Sequence, residues 1–590
     1  MTKKLKEVDV VLVGMGWTGS IMARELTRAG LTVVGLERGA YRKPGEDFTL
    51  PSIRDELRYS VRQDLMQDPS IETVTFRHNL AEEALPIRRF GAFLPGDGVG
   101  GMGTHWNAQT YRFLPTDHTL RSHLTQRYGK SYIPKDMLIA DWGVTYDELE
   151  PYYDRFEKLC GISGQAGNLK GALQAGGNPF EGRRSSDYPN KPLTPSLAGT
   201  LFGAAAAKMG YHPFPAPAGN MSAAYTNPEG VTLGECQYCG HCERFGCEAN
   251  AKSSPNTTLL PVLAQEARLE IRDRCYASRL VYDKAGKKVT AVVYVDLRTG
   301  EEYEQPAGLV VLSAWVFGNT HMLLHSGIGT PYDPKTAKGT VGRAYCHQIQ
   351  SNVTVFMENR ELNPFMGAGA LGMVIDDFNG DNFDHAGVDF LGGGYITMNS
   401  TGARPILSRP VPSGTPQWGA EWKRATAKWY RHSSPINCQG SNYSSRGNYL
   451  GLDPTYRDLL GRPLLRMTYN LSDNDRRMSA FLTDKAAAIA KTMDGVTHVA
   501  ANPRKGDFDV VPYQSSHNTG GTPMGTDPRT SVVNPYLQAW DAHNLFVMGS
   551  STFPQNAGYN PTGPVGALAY WSAAAIVGKY LKNPLPLYHA

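Results

Sequence analysis

Val8-Asp-Val-Val-Leu-Val13, followed at once by Gly14-Met-Gly16-Trp17-Thr18-Gly19 and then by Ser20-Ile-Met-Ala-Arg-Glu-Leu-Thr-Arg28, decides the fold class. The first six residues are apolar and rich in β-branched side chains, the pattern of a buried parallel strand. The next stretch predicts a helix with Ile21, Ala23 and Leu26 inward, closed by Gly30. A second strand, Leu31 to Leu36, ends in Glu37-Arg38. The glycines between strand and helix divide the work. Gly14 makes the tight turn, Gly16 lets a pyrophosphate approach the backbone, and Gly19 lets helix pack on strand. The helix N-terminus turns free N–H groups and a positive dipole end toward phosphate. Glu37 can accept hydrogen bonds from ribose hydroxyls, and its charge disfavours a 2′-phosphate. The order of these parts predicts a dinucleotide site in an α/β fold. The loop alone does not separate FAD from NAD.

The rest of the chain bounds the setting. With 590 residues, two or more packed units are expected. A net charge of +4 and the lack of a long basic run argue against a nucleic-acid partner. No stretch reaches the roughly 20 apolar residues that span a bilayer. The N-terminus reads as a strand entry, without the apolar core of a signal peptide.

Three further stretches carry chemistry. Gly96-Asp-Gly98-Val-Gly100-Gly101-Met-Gly103-Thr104-His105-Trp106-Asn107 is a glycine-rich loop that could lie flat against a planar cofactor, or could be a structural loop with a solvent-facing histidine. Near the C-terminus stand His517 and Gly549, followed by Asn560-Pro561-Thr562 and an alanine-rich helix. An imidazole can take the proton of an alcohol, and a carboxamide can orient its oxygen. Third, Cys236, Cys239, Cys242 and Cys247 form C-x2-C-x2-C-x4-C. Buried free thiols, structural zinc and an iron–sulfur cluster are the three readings. The spacing favours the last, because zinc sites of four cysteines pair two knuckles across a longer gap.

The GxGxxG loop, the Gly100 to Trp106 string, the Ser326-Gly-Ile-Gly329 string and the closing His517 to Thr562 order together resemble the glucose–methanol–choline (GMC) oxidoreductase family over nearly the whole chain. The resemblance implies FAD, with His517 and Asn560 as the catalytic pair beside the flavin. It implies a Rossmann-like FAD-binding domain plus a substrate domain with a mostly antiparallel sheet and helices. Cofactor contacts are then expected from Gly14, Gly16, Trp17, Thr18, Gly19, Glu37 and Arg38. The second loop adds Gly98, Gly100, Gly101, Gly103, Thr104, His105 and Asn107, and the C-terminal segment adds Gly549, Asn560, Pro561 and Thr562. Many members carry Asp where Gly549 stands. In some, the histidine before Trp is bonded to the flavin, which implies a covalent link at His105.

The cysteine run resembles the insert of the FAD-dependent membrane-associated sugar and sugar-acid dehydrogenases of bacteria, implying a [3Fe–4S] cluster and electron exit to a cytochrome rather than to O2 or NAD. It implies a sugar-acid substrate (D-gluconate, or 2-ketogluconate), a small subunit carrying the export signal, a multihaem cytochrome c subunit, and a place at the periplasmic face of the inner membrane. A dehydrogenase or oxidase for glucose, fructose or sorbitol is the alternative, and a cytoplasmic chain the alternative location. The expected FAD-binding domain is discontinuous, 1–115, 230–345 and 500–590, with the cysteine insert at 234–252. The substrate domain takes 116–229 and 346–499. A sugar acid also calls for Arg, Lys or His near its carboxylate, from residues the sequence does not place.

Overall fold

A computed structural model describes residues 2–49 and 55–590. Strand β1 (Val8–Val13) is buried from Val10 onward and passes through a three-residue turn into α1 (Trp17–Arg28), whose N-cap is Gly16. The helix begins three residues before Ser20. Gly14 turns the chain at φ +96°, and a Cβ there would also lie 2.5 Å from the carbonyl oxygen of Ser313. Only glycine meets both demands.

Strands β2 (Val33–Leu36), β3 (Leu269–Arg272), β4 (Cys275–Asp283), β5 (Lys288–Asp296) and β6 (Glu302–Leu312) complete the main sheet in the order β3-β2-β1-β6-β5-β4, with Lys3–Lys4 and Leu545–Val547 also paired to β6. The β1, β2, β3 and β6 neighbours are parallel, whereas β4, β5 and the first half of β6 are antiparallel. The long β6 joins the two styles. Its second half, Ala307 to Leu312, runs beside β1 and is almost wholly apolar because both of its faces are covered. Behind the sheet, the helix bounded by Thr562–Ala575 packs between α1 and the helix Tyr146–Cys160. A Cβ on Gly566 would meet the Phe156 ring at 2.3 Å, so small residues set how closely those helices approach.

A second sheet comprises β7 (Ile349–Phe356), β8 (Gly367–Ile375), β9 (Gly394–Thr401), β10 (Ser433–Gly440) and β11 (His498–Asn502). Its order is β11-β7-β10-β9-β8, then the short Phe214–Pro215, and every pair is antiparallel. Side chains alternate across it. Ile396, Met398, Ile436 and Cys438 face a core shared with Met478 and Leu482 of the helix Asp473–Thr492, which is capped by Ser472. Tyr395, Thr397 and Asn399 of β9 and Asn437 and Gln439 of β10 face a large cavity instead.

Within 1–115, expected in the FAD-binding domain, Val74, Ile87, Phe90 and Phe93 pack in this second core, and Thr75–Arg77 pairs with Pro463–Thr468. Among the described residues no helix is long and apolar enough to cross a membrane.

Candidate active site

The cavity has a volume of about 530 Å³ and opens at the carboxyl ends of the parallel strands: Val13, Leu36, Ser313 and Met548 all border it. That is where open α/β sheets bind their ligands. Gly14, Gly16, Trp17, Thr18, Glu37 and Arg38 line it, as do Gly98, Gly101, Gly103, His105 and Asn107 from the second loop, and His517, Gly549, Asn560, Pro561 and Thr562 from the C-terminal segment. Two helix N-termini, at Trp17 and at Thr562, thus meet one cavity.

Gly19, Gly100 and Thr104 do not line it. A Cβ on Gly19 would lie 2.0 Å from the Gly14 carbonyl oxygen, and one on Gly100 would strike Asn256. The Thr104 hydroxyl donates to Asn256 Oδ1 at 2.8 Å. These three support the wall from behind.

Glu37 is buried, and its carboxylate accepts from the Met15 and Gly39 N–H groups, each at 3.0 Å. Burial nevertheless raises its pKa, with those two bonds opposing. Arg38 is held by Glu72 and Asp97. Three residues of the lining carry buried polar atoms with no protein partner: Trp17 Nε1, His105 Nε2 and Ser313 Oγ. An unpaired buried polar group costs about 1–3 kcal/mol. A polar ligand along the cavity supplies the missing partners, so the lining fits an extended dinucleotide. Burial, then the nearby charge of Lys252, lowers the His105 pKa to about 3, so its imidazole is neutral.

His517 and Asn560, the expected catalytic pair, are joined by two glutamines that sequence reasoning missed. Gln348 Nε2 donates to the Ala557 and Tyr559 carbonyls at 2.8 and 2.9 Å. Two acceptors on that side fix its amide, so Oε1 must face the other way. Oε1 then accepts from His517 Nδ1 at 2.5 Å and from Gln439 Nε2 at 2.7 Å. Gln439 Nε2 spends its second N–H on Asn560 Oδ1, at 2.7 Å, where Tyr395 O–H also donates at 2.8 Å. The 3.3 Å approach of Gln439 Nε2 to His517 Nδ1 has no proton left to make a bond.

The network has one consistent proton assignment. His517 carries its hydrogen on Nδ1 and its lone pair on Nε2, and Asn560 keeps its N–H groups for an incoming oxygen. Burial, with His347 nearby, lowers the His517 pKa to about 3, so its imidazole is neutral at rest.

This wiring has two measurable consequences. Gln348→Leu removes the acceptor that fixes the imidazole; loss of one such buried bond is about 1–3 kcal/mol. Stopped-flow rates of substrate-driven cofactor reduction should fall roughly 10–100-fold; an unchanged rate would remove Gln348 from the positioning of His517. Second, a base works only unprotonated, and His517 is unprotonated well above about 3. The single-turnover rate should therefore hold as pH falls from about 7 to about 5, in contrast to a free histidine titrating near 6.5.

The roof of the cavity is a polar face. Gln350, Thr397, Asn399, Thr401, Asn437 and Gln439 present amides and hydroxyls to it, as cross-strand partners such as Gln350 with Gln439 and Thr397 with Asn437. Of the Arg, Lys or His expected for a carboxylate, none stands at these strand positions; Arg38, Arg462, His321 and His517 border the cavity elsewhere. Trp315, which borders the cavity, has φ +62°, an uncommon conformation for a bulky residue that marks the strand-to-helix turn as built for a site.

Cys236, Cys239, Cys242 and Cys247 line one small second cavity with Asn220 and Lys252. Burial raises the Cys242 thiol to about 12 and the Cys236 thiol to about 11. Asn220 Nδ2 lies 3.6 Å from Cys242 Sγ. Among the described residues no three His, Cys, Asp or Glu side chains stand close enough to hold a single metal ion. The cysteine loop touches the second glycine loop directly, since Arg244 N–H donates to the His105 carbonyl at 2.7 Å.

Comparison with known proteins matches two segments to family models described as GMC oxidoreductase, residues 218–350 and 444–569. The chain is 47% identical to the gluconate 2-dehydrogenase flavoprotein of Pantoea cypripedii, over 100% of this chain and 97% of that one. It is 25% identical to the fructose dehydrogenase large subunit of Gluconobacter japonicus, over 98% and 99%. Among solved structures, a formate oxidase from Aspergillus oryzae superposes with a TM-score of 0.60 at 14% identity, covering 98% of this chain and 99% of that one; this likeness is one of fold.

Proposed function

The chain belongs to the GMC oxidoreductase family and is an FAD-dependent dehydrogenase, and on that premise we propose that it oxidises the C2 hydroxyl of D-gluconate and passes the electrons through an iron–sulfur cluster to a cytochrome c subunit. FAD supplies the hydride acceptor that no side chain can provide. The chain's own residues do the rest. Asn560 donates an N–H to the substrate oxygen and orients the carbinol. His517 Nε2 takes the hydroxyl proton as the carbonyl forms. Gln348 and Gln439 hold both in place, and the amide and hydroxyl roof binds the remaining hydroxyls of a polyol chain. The observation that carries this reading is the Gln348 bond to His517 Nδ1, which leaves a lone pair beside an amide donor. The choice of gluconate rests on the 47% identical relative.

His105 is the attachment point we propose for a covalent flavin, supported by its neutral imidazole and its unpartnered Nε2. Denatured protein should keep its yellow colour, and His105→Ala should release it into the supernatant. Cys236, Cys239, Cys242 and Cys247 would hold the cluster. Four soft thiol donors in one cavity suit iron–sulfur chemistry, and a [3Fe–4S] cluster would use three of them. The Arg244–His105 bond between the cysteine loop and the second glycine loop supports reading these cysteines as an electron relay.

We further propose a complex at the periplasmic face of the inner membrane, with a small subunit that carries the export signal. A relative named as a large subunit supports the existence of partners. Iron and sulfide assays with low-temperature EPR of the oxidised protein test the cluster; zinc without iron would refute it.

A further inference from the structure

Lys252 is a buried lysine, 1% exposed, between the flavin loop and the cysteine loop. Its Nζ donates to the Thr104 and Trp106 carbonyls at 3.1 and 2.9 Å, which flank His105, and to the Cys242 and Phe245 carbonyls, both at 2.8 Å. Four acceptors surround three N–H bonds and no donor approaches. A neutral amine would set its lone pair against a carbonyl oxygen, so the geometry calls for the ammonium form. Burial holds its pKa below the usual 10.5, with the Cys242 and Cys247 sulfurs opposing.

Among the described residues no acidic side chain forms an ion pair with this charge, whereas the buried Arg112 and Arg184 share the Glu157 carboxylate. Lys252 also borders the cysteine cavity itself. Its natural counter-charge is a cluster of thiolates. Glu243 adds a weaker negative charge, and Arg244 lies on the same loop.

Resting on the iron–sulfur reading above, we propose that Lys252 is a positioning residue that clamps the flavin loop to the cysteine loop and sets the reduction potential of the cluster through its buried positive charge. The physical reason is direct. Reduction adds negative charge to a thiolate-ligated cluster, and a fixed cation in a low-dielectric surrounding favours the more negative state. The four carbonyl bonds also fix the spacing between the two sites, since charge-assisted hydrogen bonds are the stronger kind.

The test is an EPR-monitored potentiometric titration of the purified holoenzyme carrying Lys252→Met or Lys252→Arg. The neutral variant should show a cluster midpoint below that of the parent, and the charged variant should recover most of the difference. Equal midpoints in all three proteins, or the same shift in both variants, would overturn the proposal. Should Lys252→Met fail to accumulate, Lys252→Gln against Lys252→Arg reads the same contrast. Accumulation of Arg alone supports the need for charge, and failure of all three variants overturns it in favour of shape. A parent protein without iron or sulfide would instead remove the iron–sulfur reading, a distinct result.

Discussion

His517→Ala should slow substrate-driven bleaching of the flavin by about 10²–10⁴-fold, the usual worth of a general base, while FAD stays bound. The cofactor would be retained because its cavity is built from two glycine loops and two helix N-termini, none of which depends on this side chain. The rate would fall because nothing else can do the work. His347, whose charge also acts on His517, spends Nε2 on the Ser515 carbonyl at 2.7 Å, and burial lowers its pKa to about 4. Gln348 and Gln439 are amides without useful basicity. Anaerobic stopped-flow absorbance reads the effect, and unchanged bleaching would remove His517 from the mechanism.

Glu157→Ala should destabilise the protein by about 3–5 kcal/mol, the cost of breaking a buried ion pair from one side. Glu157 accepts from Arg112 at 2.9 and 2.7 Å and from Arg184 at 2.5 Å, and the side chains of Arg112 and Arg184 are 2% and 0% exposed. Removing the carboxylate strands two guanidinium groups together. Glu150 still reaches Arg112 at 2.7 Å, whereas Glu181 lies 3.6 Å from Arg184, so Arg184 bears most of the loss.

Burial alone would raise the Glu157 pKa; the two arginines outweigh it and hold the value below the usual 4.5. Its contribution is therefore complete above about 4.5 and is lost as pH falls through the lowered folded value. A denaturant midpoint shifted down in Glu157→Ala, less so in Glu157→Gln, is the expected result; an unmoved midpoint contradicts it. The cluster lies outside the cavity, so activity at fixed folded protein should change little.

What could be read from residues alone follows from periodicity and local chemistry. The strand, glycine turn and helix at Val8–Arg28 were legible because the pattern is local, and so was the antiparallel character of the second unit once the family resemblance was drawn. His517 and Asn560 were legible through that resemblance. Gln348 and Gln439 were not: an amide in a strand has no spacing signal, and its role arises only when Ala557 and Tyr559 bring two carbonyls to it. Lys252 was equally silent, because a lysine reads as surface until four carbonyls from two distant loops enclose it. Gly19, Gly100 and Thr104 share motifs with cavity residues, yet they pack behind the wall, since a motif names a loop without saying which way each residue faces.

Oxidation of the C2 alcohol of a sugar acid by FAD in this cavity is tested most directly by anaerobic mixing of holoenzyme with D-gluconate, unlabelled or carrying deuterium at C2. Rapid bleaching by D-gluconate, ahead of glucose, fructose and sorbitol, and slower bleaching when C2 carries deuterium are the predicted results. Failure of D-gluconate to bleach the flavin, or equal rates for the two isotopologues, would contradict that chemistry.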